Sequence, residues 1–324
     1  MAGSLTVSIA LATYNGEAYL AGQLESYLQQ RRLPDELIIS DDASADRTLS
    51  IAREFAAHAP FAVRIVANQY TKGYRGNFQT AIEAAQGEII AMSDQDDVWL
   101  PAHIARLAET LEREPDVLAV ASDSDCVDDD LNPLGYTMRQ SERLSNSLLE
   151  ATMRRGLDQF ELVLRHRAAT GHAMALRRSF APAALPFPES WGHDHWIFLL
   201  GAALGKVDYV PESLTKYRQH GNQTFGGTMK SVAKWAEQMH GQPAAESAAE
   251  VARWMELLER LQRLGASPKA KRLLQEKIDF LAFRASVRAM PIHSRTARTT
   301  ANLFRGRYHR LGRGFYAFAR DLRG

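Results

Sequence analysis

Apolar residues in the first 120 positions fall in short blocks separated by polar loops. Residues 5 to 12 (LTVSIALA) form a β-branched apolar run, closed by Thr13-Tyr14-Asn15-Gly16, after which residues 17 to 30 repeat apolar positions at helical spacing. The same order recurs at 37–40 then 46–58, 62–66 then 74–86, and 88–92 then 101–113, with a further run at 117–121. Short buried strands alternating with helices predict an α/β fold, a mostly parallel sheet covered by helices on both faces. From 160 to 220 the pattern turns mixed, predicting a strand at 168–176, a helix near 194–204 and an extended piece at 207–217. Beyond Gly227 it becomes helical, with Trp254, Leu257, Leu258 and Leu261 at i, i+3, i+4 and i+7.

Length turns this pattern into a domain expectation. A chain of 324 residues exceeds what one core usually serves, so a first domain over 1–225 and a helical C-terminal extension over 226–324 are expected. The formal net charge of +1 excludes a polycation built for nucleic acid. Residues 284–324, however, hold ten Arg, no Lys and one acid, Asp321, which calls for a polyanionic partner. Cys126 is the sole cysteine, so neither an intrachain disulfide nor a cysteine-based zinc site is expected, and a reducing cytoplasm fits. Residues 1 to 12 lack a secretory signal pattern, and no window approaches the roughly 18 apolar residues of a membrane span.

In open sheets of this kind, ligands sit beyond the carboxyl ends of the strands, so the polar loops there carry the candidate chemistry. Asp94-Gln95-Asp96-Asp97 follows the fourth strand, and three carboxylates so close repel one another unless a cation or strong donors offset them. Mg²⁺ or Mn²⁺ suits such a group, bound by carboxylates together with phosphate oxygens; a solvated loop capping the helix near Pro101 is the plainer alternative. Asp41-Asp42 ends the second strand, where a carboxylate either accepts from a base or ribose or simply serves the turn capped by Ser44. No G-x-G-x-x-G or P-loop pattern occurs, and the acidic run Asp123 to Asp130 lacks the Gly and Glu of a calcium loop, so it reads as a solvated loop.

Taken together, Val7 to Asn15, Ser40 to Ser44, Gly73 to Phe78 and Ser93 to Trp99 resemble the nucleotide-binding half of family 2 glycosyltransferases of the GT-A fold, over residues 5 to about 115. The resemblance implies a nucleotide-binding half at 1–115 and an acceptor half at 116–225. It implies that Ala12 and Tyr14 flank the nucleobase, with Asp42 the base or ribose contact and Asp41 beside it. Arg75 and Asn77 would approach the donor phosphates or sugar, Asp94 the ribose or metal, and Asp96 would be the principal protein ligand of the cation. The Ser-Asp-Gln-Asp-Asp-Val-Trp wording resembles bacterial surface-polysaccharide enzymes, rhamnosyltransferases among them. That implies an inverting transfer from dTDP-rhamnose or a UDP-sugar to a glycan or lipid-linked hydroxyl.

Two later segments complete the reading. In Trp191-Gly192-His193-Asp194-His195-Trp196, the resemblance assigns Asp194 to the catalytic base. Trp191, His195 and Trp196 suit an acceptor surface, because aromatic faces cover the apolar side of a pyranose; ordinary core packing of the tryptophans is the alternative. In Tyr217-Arg218-Gln219-His220, the resemblance makes His220 a second metal or diphosphate contact and Arg218 a diphosphate clamp. Thr170-Gly171-His172 matches a strand near the acceptor, where Gly permits close approach or tight packing. The Arg-rich tail, with Phe304, Tyr308, Phe315, Tyr316 and Phe318 among its cations, suits either peripheral contact with the anionic inner face of a membrane or a helical cap or oligomer contact. A sugar-phosphate nucleotidyltransferase is the rival enzyme, but its Gly-rich opening loop with Arg is absent. A non-catalytic assembly protein is the other rival, against which Asp96 and Asp194 stand.

Overall fold

The apolar runs become the strands of a nine-stranded sheet in the computed structural model, which describes residues 4–142, 149, 159–221, 244–312 and 314–323. The strands are β1 (Val7–Thr13), β2 (Glu36–Asp41), β3 (Ala62–Ala67), β4 (Ile89–Asp94), β5 (Val98–Trp99), β6 (Val117–Val127), β7 (Pro133–Thr137), β8 (Met174–Arg177) and β9 (Lys206–Arg218). They lie in the order β3-β2-β1-β4-β8-β6-β9-β5, with β7 on β6. β1, β2, β3 and β4 pair in parallel, whereas β8 runs antiparallel to both β4 and β6. The first four apolar runs thus form the parallel half that the pattern predicts, and the mixed half begins at β8.

Between the early strands run helices α1 (Leu20–Leu28), α2 (Thr48–Ala56), α3 (Gly73–Ala84) and α4 (His103–Arg113). Ile9, Leu11, Leu37 and Ile39 are buried with Leu20, Leu24 and Tyr27 of α1 and Ile104, Leu107 and Leu111 of α4 in one core. The i, i+4, i+7 spacing puts the α1 side chains on one stripe, and burying each such side chain contributes roughly 1.5–3 kcal/mol. Strand β1 is buried on both faces, which explains why it reads as a continuous apolar run and not as an alternation.

Two expectations change. The acidic run is not all loop: Asp123 lies inside β6, 1% exposed, and its Oδ2 accepts from Arg139 Nε at 2.9 Å, so a buried ion pair explains that acid. Only Asp128 to Asp130 form the turn before β7, where Asp128 accepts from the amides of Asp130 and Asn132. The strand expected at 168–176 is confined to Met174–Arg177, following a single 3₁₀ turn at Gly171–Ala173.

The chain divides into two compact units, Met1–Leu157 with Arg167–Thr228, and Asp158–His166 with Met229–Gly324. The expected boundary at 225/226 lies outside the described residues. Short helices α5 (Met138–Ser141) and α7 (Ala181–Ala184) and the longer α8 (His193–Leu204) belong to the first unit; α6 (Gln159–Val163) belongs to the second. The second unit continues with α9 (Ala244–Arg263), α10 (Pro268–Arg288), α11 (Ile292–Phe304), α12 (Arg307–Leu311) and α13 (Phe315–Arg323). Ser267 caps α10 by accepting from Ala270 N at 3.1 Å, with Pro268 in the first turn.

Part of the cationic tail points inward. Asp321 is fully buried and accepts from Arg284 Nε (2.7 Å), Arg288 Nε (2.9 Å) and Tyr308 Oη (2.9 Å). Removing its carboxylate leaves two largely enclosed guanidiniums without a counter-charge, which costs about 3–5 kcal/mol. Asp321→Ala should therefore unfold the helical unit at clearly lower urea, followed by far-UV circular dichroism; an unchanged midpoint would refute the inward role of these arginines.

Candidate functional site

Strand register brings the polar loops to one edge. Ala12 pairs across to Ser40 and Asp94, and Thr13 to Asp41, so the carboxyl ends of β1, β2 and β4 open side by side. Gln95, in the middle of the acidic segment, ties its loop to the one after β1. Its Oε1 accepts from Tyr14 N (2.8 Å) and its Nε2 donates to Tyr14 O (3.0 Å). A Cβ on Gly16 would stand 2.1 Å from Gln95 Oε1, so only glycine admits this amide. Tyr14 is thereby fixed through its main chain while its side chain stays 51% exposed.

The two acids after β2 are both buried and both engaged by protein donors. Asp41 accepts from Thr13 Oγ1 (2.9 Å), Ser44 Oγ (2.6 Å) and Ser44 N (2.9 Å). Asp42 accepts from Lys72 N (2.7 Å) and Gly73 N (2.9 Å), which fixes the start of α3 and offsets its N-terminal partial charge. Asn77, one turn into α3, donates to Thr13 O (3.0 Å) and is itself buried. Arg75 donates through Nε to Trp191 O (2.6 Å), with its guanidinium 4.6 Å from the Tyr74 ring centroid.

The acidic segment divides into unlike carboxylates. Asp96 Oδ2 meets His220 Nε2 at 2.9 Å, and the Asp96 carbonyl accepts from Arg218 Nε at 2.8 Å. Burial, followed by the charges of Asp96 and Asp194, raises Asp94 to about 8. Asp97 is fully buried and raised well above the carboxylate range, first by burial and then by Asp96 and Asp94. Asp97 Oδ1 accepts from Arg218 N (3.0 Å), and Oδ2 faces His172 Nδ1 at 3.9 Å without a hydrogen bond. Ligand atoms of Asp94, Asp97 and His172 lie within 4.8 Å of one another, a second grouping below the Asp96–His220 pair in exposure. His172 Nε2 is engaged by Ser124 Oγ at 2.9 Å, and burial lowers the imidazole to about 3.

Around Arg218 and His220 gathers a set of residues that no sequence signal marked. Tyr19, just before α1, has its ring centroid 4.8 Å from the Arg218 guanidinium carbon and 4.7 Å from the His220 ring. Its hydroxyl donates to Asp129 Oδ1 at 2.7 Å, and Arg218 Nη1 donates to the Asp129 carbonyl.

Asp194 opens α8 and is 7% exposed. Its oxygens accept from Arg167 Nη2 (3.2 and 3.0 Å) and from His195 N (2.7 Å). Burial alone would raise this carboxyl, but the Arg167 charge, His193 and the His195 amide together hold it below the ordinary carboxylate value. Arg167 lies in no recognisable motif, which is why the sequence does not reveal it. His193 packs on Phe78, and a Cβ on Gly171 would stand 2.3 Å from its Nε2. Close packing thus explains that glycine, and burial lowers His193 to about 4.

The acceptor-surface expectation needs correcting at both tryptophans. Trp191 is 1% exposed and Trp196 fully buried, with Trp196 Nε1 donating to Ala184 O at 2.8 Å. Neither ring offers a face to a sugar: Trp196 lies on α8, which is buried on nearly all sides, and Trp191, just before that helix, packs against the Trp196 ring at 5.9 Å between centroids. His195 is only half-buried and meets Trp191 edge-on, the one member of the three still open to solvent.

Comparison with known proteins shows the family and the fold. The model of glycosyl transferase family 2 matches residues 8–182, more than half of the chain. An uncharacterized glycosyltransferase of Nostoc sp. is 28% identical over 228 residues, 67% of this chain and 66% of that protein, so this chain spans just under two thirds of its length. The dTDP-rhamnosyl transferase RfbG of Shigella flexneri is 36% identical over 105 residues, 31% of this chain and 36% of that one. Among solved structures, a mannosyltransferase from Pyrobaculum calidifontis in complex with GDP-Man and Mn²⁺ is similar in fold, with a TM-score of 0.53 at 17% identity, covering 99% of this chain and 87% of that one. The chain belongs to glycosyl transferase family 2, and its sheet has the GT-A fold.

Proposed function

We propose that the chain transfers a sugar from a nucleoside-diphosphate donor to an acceptor hydroxyl, with inversion at the anomeric carbon. The observation that carries this reading is the pairing of Asp96 with His220 beside Arg218, with the buried, ionised Asp194 at the start of α8 close enough for its charge to act on Asp94. Carboxylate plus imidazole is a donor set that suits Mn²⁺, and Asp96 and His220 would hold that ion, with Asp94 alongside. When bound, a divalent cation offsets the charge that builds on a departing diphosphate.

The chain's own residues supply the rest. The exposed Tyr14 ring and half-buried Ala12 offer the nucleobase a surface, and Asp41 and Asp42 keep the adjoining loops in place for ribose and base. Arg218 adds a fixed guanidinium for the diphosphate and Arg75 borders the sugar, while the buried Asn77 acts behind them by holding the Thr13 carbonyl. Asp194 is ionised at neutral pH, and accepts the proton as the acceptor oxygen forms its new bond and the nucleoside diphosphate leaves. One base and one displacement give inversion without a covalent enzyme intermediate.

The similarity to the Shigella dTDP-rhamnosyl transferase supports dTDP-rhamnose as donor, and that to a UDP-Glc:α-D-GlcNAc-diphosphoundecaprenol β-1,3-glucosyltransferase of Escherichia coli, 35% identical over 94 residues, supports the alternative of a UDP-sugar donor and a glycan or lipid-linked acceptor. Among the described residues no helix is long and apolar enough to cross a membrane. Phe304 (86% exposed) and Phe315 (66%) sit among the arginines of the helical unit, which supports peripheral contact with the anionic inner membrane face, a second copy of the chain being the other candidate for that surface. The test is release of nucleoside diphosphate from dTDP-rhamnose and UDP-sugars with a glycan acceptor, with Mn²⁺ and with chelator. Release that needs donor, acceptor and cation together is expected; none with any donor would overturn the reading.

A further inference from the structure

We propose that the aromatic ring of Tyr19 is the positioning element that holds Arg218 and His220 over the Asp96 loop, an inference that rests on the donor-site reading above. Strand β9 ends at Arg218, so His220 lies two residues beyond the last sheet position and its imidazole direction is not set by strand pairing. Tyr19 stands where three pieces of chain meet: the entrance to α1, the segment after β9, and the β6–β7 turn. Its ring touches the Arg218 guanidinium on one side and the His220 imidazole on another, at 4.8 and 4.7 Å. Its hydroxyl reaches Asp129 Oδ1 at 2.7 Å, and the Asp129 carbonyl in turn accepts from Arg218.

The arrangement does more than fill space. A guanidinium over an aromatic face is held in direction by its attraction to the ring. The imidazole is held by the ring and by Asp96 Oδ2 at 2.9 Å. A cation bound by Asp96 and His220 would replace that mutual hydrogen bond, and the ring contact would continue to bear on the direction of the imidazole. Outer contacts of this kind fix the orientation of ligating histidines. The hydroxyl anchors the turn, whereas the ring orients the two ligand-facing side chains, so the two parts of the residue separate by substitution.

The experiment is Mn²⁺ titration of the full-length chain, read by loss of the free-ion electron paramagnetic resonance signal, with and without UDP, for wild type, Tyr19→Phe, Tyr19→Leu and Tyr19→Ala. Wild-type folding is checked by circular dichroism, and Tyr19→Leu retains apolar bulk should the alanine variant fail to fold. Tyr19→Leu is expected to weaken Mn²⁺ binding by about 10- to 100-fold, with Tyr19→Phe staying within about threefold of wild type. In turnover, Tyr19→Leu should raise KM for the donor more than it lowers kcat, as lost positioning of a binding clamp requires. Unchanged Mn²⁺ affinity in folded Tyr19→Leu overturns the proposal, as does an equal loss in Tyr19→Phe, which would put the effect in the hydroxyl. If wild type binds no Mn²⁺, the metal reading itself fails and this inference with it, an outcome visible before any variant is compared.

Discussion

Asp194→Asn is expected to lower sugar transfer by about 10²- to 10⁴-fold, the usual contribution of a positioned general base, while donor affinity changes little. The amide keeps the size and the Arg167 and His195 contacts in part, but it cannot take a proton. Single-turnover transfer measured beside donor-induced thermal stabilisation separates the two effects. Transfer retained at near wild-type rate would remove Asp194 from the role of base.

The environment of Asp194 also fixes the sign of a pH effect. Burial pushes its carboxyl up, but Arg167, His193 and the His195 amide outweigh burial and hold it below its ordinary value, so, with Asp194 as the proposed base, the acidic limb of kcat/KM is expected below the ordinary Asp value. Arg167→Ala removes the main opposing charge and leaves burial unopposed, so the limb should move to higher pH. The linked stability has the matching sign. A depressed carboxyl contributes stability that is present above its unfolded pKa and lost as pH falls through the folded one, so Arg167→Ala should cost more stability at pH 7 than at pH 3.

How much of this was readable from residues alone depends on whether the cause is local. β1, β2 and β4 are legible because strands buried on both faces must be apolar throughout, β3 because it is a short, mostly apolar run on the sheet edge, and the loops at the strand ends are legible because topology collects them. Asp96, Asp194 and His220 were found through motif wording, in which spacing stands in for geometry. Gln95 sat inside the same motif, yet its reciprocal bonds to Tyr14 depend on a loop 81 residues earlier, and no periodicity reports that. Tyr19 and Arg167 act across 110 and 27 residues respectively, through contacts that only the fold creates. The tryptophans misled for the converse reason. Trp191 and Trp196 flank polar residues in sequence, but Trp196 turns inward from α8 onto Ala184, and Trp191, just before that helix, packs against the Trp196 ring; sequence adjacency says nothing of which way a side chain is turned.

Asp96→Ala is expected to abolish cation-dependent stabilisation and to lower transfer by at least about 100-fold, since truncating the principal ligand removes charge compensation for the leaving diphosphate. Chelation should reduce wild type to the same level, with Mn²⁺ restoring wild type but not the variant. His220→Ala should act in the same direction, and Asp96→Ala combined with His220→Ala should lose little more than Asp96→Ala alone, because both side chains serve one ion and their effects are not additive. The deeper grouping of Asp94, Asp97 and His172 provides the internal comparison. His172 is 2% exposed and already engaged through Nε2 by Ser124, while its Nδ1 faces a carboxylate enclosed with it. His172→Gln should therefore leave Mn²⁺-dependent stabilisation intact even where it lowers the melting temperature. Loss of the cation effect in His172→Gln with retention in His220→Ala would move the metal to the deeper group. The opposite result assigns it to Asp96 and His220, whose carboxylate and imidazole meet at 2.9 Å beside the Arg218 guanidinium.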